Sequence, residues 1–171
     1  MKNKLIAALF LLVTYAAQAQ STYYNAENKE KIKSLNHLVG TWEGEGWIMS
    51  QKTREKIPFQ QKEEVYYRLD SSIIEVHGIG LNQDKIVHDA LAIISNKPDS
   101  DYTMNSFVGD GRTGEFEMKV DGERLIWEIP VDQGIIRYTI LVNENTWTEK
   151  GDFGMNGNWY SFFEMNLNRI D

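Results

Sequence analysis

The spacing of apolar positions changes at about Val39. Charged residues cluster over residues 25–37. Within and just after this cluster, Ile32, Leu35 and Leu38 recur every three residues, and that spacing predicts a short amphipathic helix. From Val39 to the end, short segments rich in β-branched and aromatic residues alternate with Gly, Asn and Asp. Such a pattern is typical of strands joined by tight turns.

Ten strands are predicted in the second part of the chain. Asp121-Gly122 and Asn156-Gly157 are strong hairpin signals, because both dipeptides tolerate the positive φ of a two-residue turn. Pro58 and Pro130 fall outside the interiors of the predicted strands, where a missing N–H donor is tolerated. The strands cover approximately residues 41–50, 59–69, 73–81, 86–95, 102–108, 115–120, 124–129, 134–142, 146–152 and 159–168.

The predicted fold is all-β, a single up-and-down antiparallel β-barrel of about ten strands preceded by a short helix. Closure of the sheet removes exposed edges, which favours a barrel over the alternative, a sandwich with the same turn spacing. The domain prediction is a signal peptide over residues 1–19, an N-terminal segment with the helix over 20–37, and the barrel over 38–171.

Composition narrows the classes of partner and chemistry. The 171 residues carry a net charge of −7 and contain no cysteine. Without cysteine the chain has no disulfides, thiolate metal ligands or cysteine nucleophile. The acidic balance argues against nucleic acid as a partner, since phosphate binding needs a basic surface.

The first residues have the pattern of an export signal. Lys2 and Lys4 precede an apolar run over residues 5–13, and Ala17-Gln18-Ala19 supplies small residues for signal peptidase. We therefore expect cleavage near Ala19 and a periplasmic or secreted protein without a membrane anchor. A retained anchor helix is the weaker alternative, because the run is about half the roughly 20 residues that span a bilayer.

Four segments carry a resemblance to a known superfamily. A helix followed by Gly40-Thr41-Trp42 resembles the calycins, which include lipocalins and fatty-acid-binding proteins, and Trp-x-Gly-x-Gly over residues 42–46 is similar to nitrobindins. Residues 137–140, 147–151 and 159–169 resemble bacterial lipocalin-like proteins of uncharacterised function.

The resemblance implies a barrel around a cavity for one small molecule. It also implies that Trp42 packs against Arg169 to close the barrel, as a cation over an indole face contributing about 1 kcal/mol. Nitrobindins bind haem through a histidine near the chain end, but the last predicted strand here has none. Only His77 or His88, in the middle strands, is a candidate for that ligand.

Hairpin register predicts a polar site inside the barrel. Pairing the last strands through two-residue turns places Tyr138, Glu149 and Glu164 side by side. Two carboxyl groups in an apolar cavity do not both ionise without a cation between them. The alternative is that both glutamates lie on the outer face, and one β-bulge before Glu164 would send one carboxyl group outward. The predicted apolar walls of the same face are Trp127, Trp147 and Phe162.

The predicted function is binding of a small amphipathic or hydrophobic molecule in the central cavity. Three alternatives remain open: an enzyme using Glu149 and Glu164 as general acid and base with help from Tyr138, a haem-binding barrel, and a barrel filled by its own side chains. No cofactor is predicted apart from the haem alternative. No metal site is predicted either, because His77 and His88 supply only two of about three convergent ligands. The ligand's identity and the oligomeric state stay open.

Overall fold

A computed structural model describes residues 26–96 and 101–171. The predicted signal peptide, residues 1–19, lies outside these ranges. In chain order the elements are helix α1 (Ala26–Lys33), a 3-10 helix (Asn36–Leu38), and strands β1 (Gly40–Met49), β2 (Lys56–Arg68), β3 (Ile73–Asn82), β4 (Lys85–Ser95), β5 (Tyr102–Val108), β6 (Thr113–Asp121), β7 (Arg124–Val131), β8 (Gly134–Val142), β9 (Thr146–Met155) and β10 (Asn158–Arg169).

The ten strands form one closed barrel in which every neighbouring pair is antiparallel. Each strand pairs with the next in sequence, and β1 also pairs with β10. The prediction of an all-β up-and-down barrel is confirmed, and the sandwich alternative is wrong. Among the described residues, no helix has the length and apolarity needed to cross a bilayer.

The helix is shorter than the sequence pattern predicts. It ends at Lys33, with Glu27 in the first turn and Lys31 and Lys33 in the last, which complements the helix dipole. Ile32 is fully buried against the barrel. The Tyr102 hydroxyl, on β5, joins the Ser34 hydroxyl at 2.7 Å and donates to the carbonyl of Lys31 at 3.1 Å. These bonds fix the helix over one end of the barrel, called here the closed end.

Trp42 and Arg169 close that end of the barrel. They are register partners on β1 and β10, and the Arg169 guanidinium lies 4.0 Å from the centre of the Trp42 ring. Arg169 also donates to the carbonyls of His37 at 2.9 Å and Glu144 at 2.8 Å. The contact that the calycin resemblance implies is therefore present, and it ties the last strand to the loop before the first.

Three of the predicted hairpin registers are displaced by two residues. Val120 pairs with Leu125 rather than Glu123, and Ile140 pairs with Glu149 rather than Trp147. The β7–β8 pairing is displaced by the same two residues. Because strand side chains alternate with period two, a shift of two residues changes partners without changing faces.

A β-bulge in the last strand does change faces. The turn at Asn156-Gly157 pairs Met155 with Asn158, as predicted, but the β9–β10 register shifts between Ser161 and Phe163. Beyond this bulge the two strands are offset by one residue relative to the prediction. Every later side chain of β10 consequently points to the face opposite to the predicted one.

Two prolines lie inside strands, contrary to the prediction. Pro58 is in β2 opposite Trp47, and Pro130 is in β7 opposite Ile135. Both are within three residues of a strand end, where the loss of one ladder hydrogen bond is tolerated.

Candidate ligand-binding cavity

A cavity of about 180 Å³ occupies the interior of the barrel. Each of the ten strands contributes at least one side chain to its wall, because strand side chains alternate between the two faces. The wall is mainly aliphatic and aromatic, with Glu63, His88, Ser106, Tyr138 and Glu149 as its polar members. Its apolar residues include Val76, Ile94, Met104, Met118, Leu125, Trp127, Ile140, Trp147, Phe163 and Met165.

Glu63 enters the cavity because a glycine faces it. Glu63 on β2 is the register partner of Gly78 on β3, and a Cβ at Gly78 would lie 2.6 Å from Oε2 of Glu63. The neighbouring pair repeats the arrangement, since a Cβ at Gly80 would lie 2.6 Å from Oε1 of Gln61. The two glycines thus leave the space in which the polar side chains of β2 lie flat against β3.

The Glu63 carboxyl group is almost without water. Its residue is 5% exposed, and its only hydrogen bond among the described residues comes from Nε2 of Gln61 at 2.7 Å. Burial, reinforced by the nearby Glu149, raises the pKa of Glu63 to about 8, while the bond from Gln61 acts in the opposite direction. Glu63 is consequently protonated in a large part of the molecules at neutral pH.

Glu149 is the second buried carboxyl group of the cavity. It lies on β9 between Ile140 of β8 and Met165 of β10. Burial raises the pKa of Glu149 to about 7, and the indole of Trp147 lowers it in part. Nε1 of Trp147 is itself buried and has no partner with full hydrogen-bond geometry among the described residues. The indole N–H of Trp147 thus partly stabilises the ionised form of Glu149, and it lacks a well-aligned hydrogen-bond acceptor among the described residues.

Tyr138 supplies an aromatic wall beside these carboxyl groups. Its ring stacks on Trp127 with centroids 4.2 Å apart and planes 7° from parallel. Burial, and to a smaller extent Glu149, raise the pKa of Tyr138 to about 12, so the hydroxyl keeps its proton at neutral pH. Tyr138 faces Gly151 rather than Glu149 in the β8–β9 register.

Glu164 and Phe162 are not where the sequence places them. Because of the bulge, Glu149 pairs with Met165, and Glu164 pairs with Lys150 on the outer face of the sheet. The predicted pairing of Glu149 with Glu164 is therefore wrong. Phe162 is the extra residue of the bulge; its ring meets Tyr138 edge-on at 5.8 Å but does not line the cavity.

The two middle-strand histidines lie on opposite faces. His88 lines the cavity, and burial lowers its pKa below the usual value, with Asp89 acting against that shift, so the ring is neutral at neutral pH. His77 lies outside, with Nε2 3.5 Å from Oδ1 of Asp89. The described part of the chain contains no group of three or more potential metal ligands.

Haem does not fit this interior. His88 is the one histidine that lines the cavity, but about 180 Å³ is less than the roughly 300–1,000 Å³ of pockets for drug-sized ligands. A macrocycle with its side chains needs more space than a drug-sized ligand. The haem alternative therefore lacks a site of sufficient size.

A larger depression lies outside the barrel. This groove of about 780 Å³ runs between the 3-10 helix and the loops at the closed end, and its walls include His37, Arg124 and Arg169. It is open to solvent, and Glu63 and Glu149 do not line it. The interior cavity is the better candidate site, because apolar walls and buried groups with displaced pKa values coincide there.

Sequence reasoning missed Glu63 and its neighbour Gln61, and it named His88 only as a candidate haem or metal ligand. The available signal was alternation in β2, where Gln61 and Glu63 share a face with the buried residues Phe59 and Val65. Their register partners on β3 are Gly80 and Gly78. That these glycines leave room for the two side chains can be recognised only when the β2–β3 register is known.

The closed barrel and its interior cavity have the architecture of lipocalin-like, calycin-type proteins. The fold resembles that of Rv2717c from M. tuberculosis, with a TM-score of 0.61 and 10% identity over 82% of this chain and 98% of the other. It also resembles the S-type phycobiliprotein lyase CpeS from Guillardia theta, with a TM-score of 0.53 and 10% identity over 81% and 91% of the two chains. At this level of identity, the likeness concerns the fold alone.

Comparison of the sequence with known protein families found no match. Comparison with curated proteins found none either.

Proposed function

We propose that this barrel binds one compact, largely apolar molecule in its interior. The main supporting observation is the interior cavity of about 180 Å³, in which aromatic and aliphatic walls surround a small group of polar side chains. Ligand sites have this composition: apolar walls supply affinity, and a few polar groups fix orientation. The likeness to a lyase barrel, CpeS, agrees with a small-molecule site in this fold.

Cavity size limits the ligand. An engineered protein cavity of about 150 Å³ stays dry and holds benzene. The present cavity is slightly larger, so it accommodates a molecule with one ring or a short branched chain. In this proposal the apolar part of the ligand contacts Trp127, Tyr138 and Trp147. Its polar part contacts Glu63 and Glu149.

A cavity-filling substitution tests the proposal. Ala92 lines the cavity from β4, and its neighbour Leu91 faces outward. Ala92→Phe should abolish binding of toluene, measured by chemical-shift changes of the full chain, whereas the matched control Leu91→Phe should leave it intact. If overpacking prevents Ala92→Phe from folding, Ala90→Val fills the same space with less added volume. Unchanged toluene binding in a folded cavity-filled variant would refute the proposal.

We also propose that the protein is exported and that its signal peptide is removed near Ala19. Support comes from the basic, apolar and small-residue segments at the start of the sequence. The N-terminal sequence of the protein recovered from periplasm or medium tests this. A cell-associated product that still begins at Met1 would contradict it.

The enzyme alternative takes a different pair of groups from the one predicted. Glu164 is outside, but Glu63 faces the cavity together with Glu149 and Tyr138. A carboxyl group with a pKa near neutral suits general acid–base catalysis. Turnover of a bound compound that is lost in Glu149→Gln, with a pH profile reporting a carboxyl group near pH 7, would support this alternative.

A further inference from the structure

The cavity contains two buried carboxyl groups from strands that β1 and β10 separate. Glu63 projects from β2 and Glu149 from β9, and both line the same space. The charge of an ionised Glu149 raises the pKa of Glu63. Two like charges in one apolar cavity are unfavourable unless a positive charge lies between them.

No described interior side chain supplies a positive charge between these two groups. Arg112 is an exposed cation with an effect on the cavity: its charge acts on Tyr138, but its guanidinium is largely in solvent and pairs with Asp110 at 2.7 Å. Arg169, at the closed end, lies over Trp42 and donates to backbone carbonyls. His88 is held neutral by burial. The other titratable groups on the interior face are tyrosines, which carry no positive charge. Those tyrosines are Tyr67, Tyr102, Tyr138 and Tyr160.

Hydrogen-bond acceptors are also left over in this part of the interior. Gln61 is 2% exposed, and its Nε2 donates to Glu63, but its own Oε1 is buried without a partner. A buried acceptor that lacks a donor is destabilising, so such groups normally have a partner. The polar groups of β2 beside the cavity are therefore not fully satisfied by the described residues.

The apolar walls suit a cation attached to a ring. Trp127 and Tyr138 line the cavity and stack on each other, and Phe163 meets Tyr138 at 6.0 Å. Aromatic rings attract cations as well as apolar groups. An ammonium group carries three N–H donors and no acceptor, which complements the two carboxyl groups of the cavity.

We propose that the cavity takes a compact organic monocation, a primary amine on a single ring or short chain, whose ammonium group lies between Glu63 and Glu149. This inference rests on the proposed function, since it names the class of ligand for the same cavity. Binding of the ammonium ion favours ionised carboxylates, so protons leave Glu63 and Glu149 as the amine enters.

Three probes of similar size separate the charge from the ring. Benzylamine, benzyl alcohol and toluene share one aromatic ring and differ in a cationic, a neutral polar and an apolar substituent. With the full chain near neutral pH, benzylamine should bind at least about tenfold more tightly than benzyl alcohol, as expected for a hydrogen bond between charged groups. Titration calorimetry in two buffers of different ionisation enthalpy should also show proton release on benzylamine binding.

Glutamine variants locate the effect. Glu63→Gln and Glu149→Gln should each reduce the affinity for benzylamine about tenfold or more relative to the affinity for toluene measured in the same variant. Glu164→Gln is the matched control, because Glu164 lies on the outer face opposite Lys150. The two interior variants are independent, so one that fails to fold does not prevent the test.

The outcomes distinguish this inference from the proposed function. If toluene binds but benzylamine binds no more tightly than benzyl alcohol, the cation inference is wrong and the binding function stands. If benzylamine affinity is equal in the native protein and both interior variants, the ammonium site is wrongly placed. If none of the probes binds, the proposed function itself fails.

Discussion

Replacing Glu63 with glutamine should make the protein more stable at alkaline pH. The glutamine keeps the size of the side chain, and its amide oxygen still accepts the bond from Nε2 of Gln61. What the substitution removes is the buried group that must ionise as the pH rises. Gly78 leaves the same space for either side chain.

The sign and size of the effect follow from the pKa of Glu63. This pKa is about 8 in the folded protein against a reference value of 4.5. Between these values the native state binds more protons than the unfolded state, so the free energy of unfolding falls as the pH rises. The full difference corresponds to ~5 kcal/mol at 1.36 kcal/mol per pH unit, an upper limit because water that enters the cavity solvates the carboxylate.

Denaturant unfolding from about pH 5 to about pH 9 measures this effect. The free energy of unfolding of the native protein should fall by several kcal/mol across that range, most of it below pH 8. Glu63→Gln should lose less, because only Glu149, whose pKa burial also raises, still has to ionise inside the cavity. The two proteins should be of similar stability near pH 5. Glu164→Gln, which changes an outer-face carboxyl group, should follow the native protein throughout.

Parallel stability curves for the native protein and Glu63→Gln would refute the reasoning. They would mean that Glu63 ionises in the folded state as easily as in the unfolded chain. Its carboxylate would then have a cation or ample water beside it, contrary to the burial described above.

Three further changes test the contacts at the closed end and the close approach of Glu63 to Gly78. Arg169→Ala should destabilise the protein by about 2–4 kcal/mol in denaturant unfolding, since it removes the Trp42 contact and bonds to buried carbonyls; a loss equal to that of the exposed Arg112→Ala would contradict this. Gly78→Ala should destabilise the native protein but cost much less when combined with Glu63→Ala, because the added Cβ meets that carboxyl group; strictly additive free energies would exclude the contact. Tyr102→Phe should cost about 1 kcal/mol and speed hydrogen exchange in α1, because its hydroxyl bonds to Ser34 and Lys31; unchanged exchange in α1 would show that these bonds do not fix the helix.

Local patterns were sufficient to predict the secondary structure and the fold class. Alternation and turn residues predicted ten strands, and β5 and β8 have the predicted bounds. Although three hairpin registers were wrong by two residues, Trp127, Tyr138, Trp147 and Glu149 were still predicted on the correct, inner face. The reason is that strand side chains also repeat every two residues.

The composition of the polar site depended on the tertiary structure. The bulge at Phe162 adds one residue to β10, which turns Glu164 outward and aligns Arg169 with Trp42. No local pattern in the sequence marks that extra residue, since the last strand is apolar on both faces.

By itself, then, the sequence determined that this chain folds as an antiparallel barrel, since hydrophobic alternation and turn chemistry act over a few residues. The tertiary structure alone decided that the second carboxyl group in the cavity with Glu149 is Glu63. Their strands are far apart in the chain, and both side chains line one cavity only because the sheet closes and Gly78 leaves room opposite Glu63.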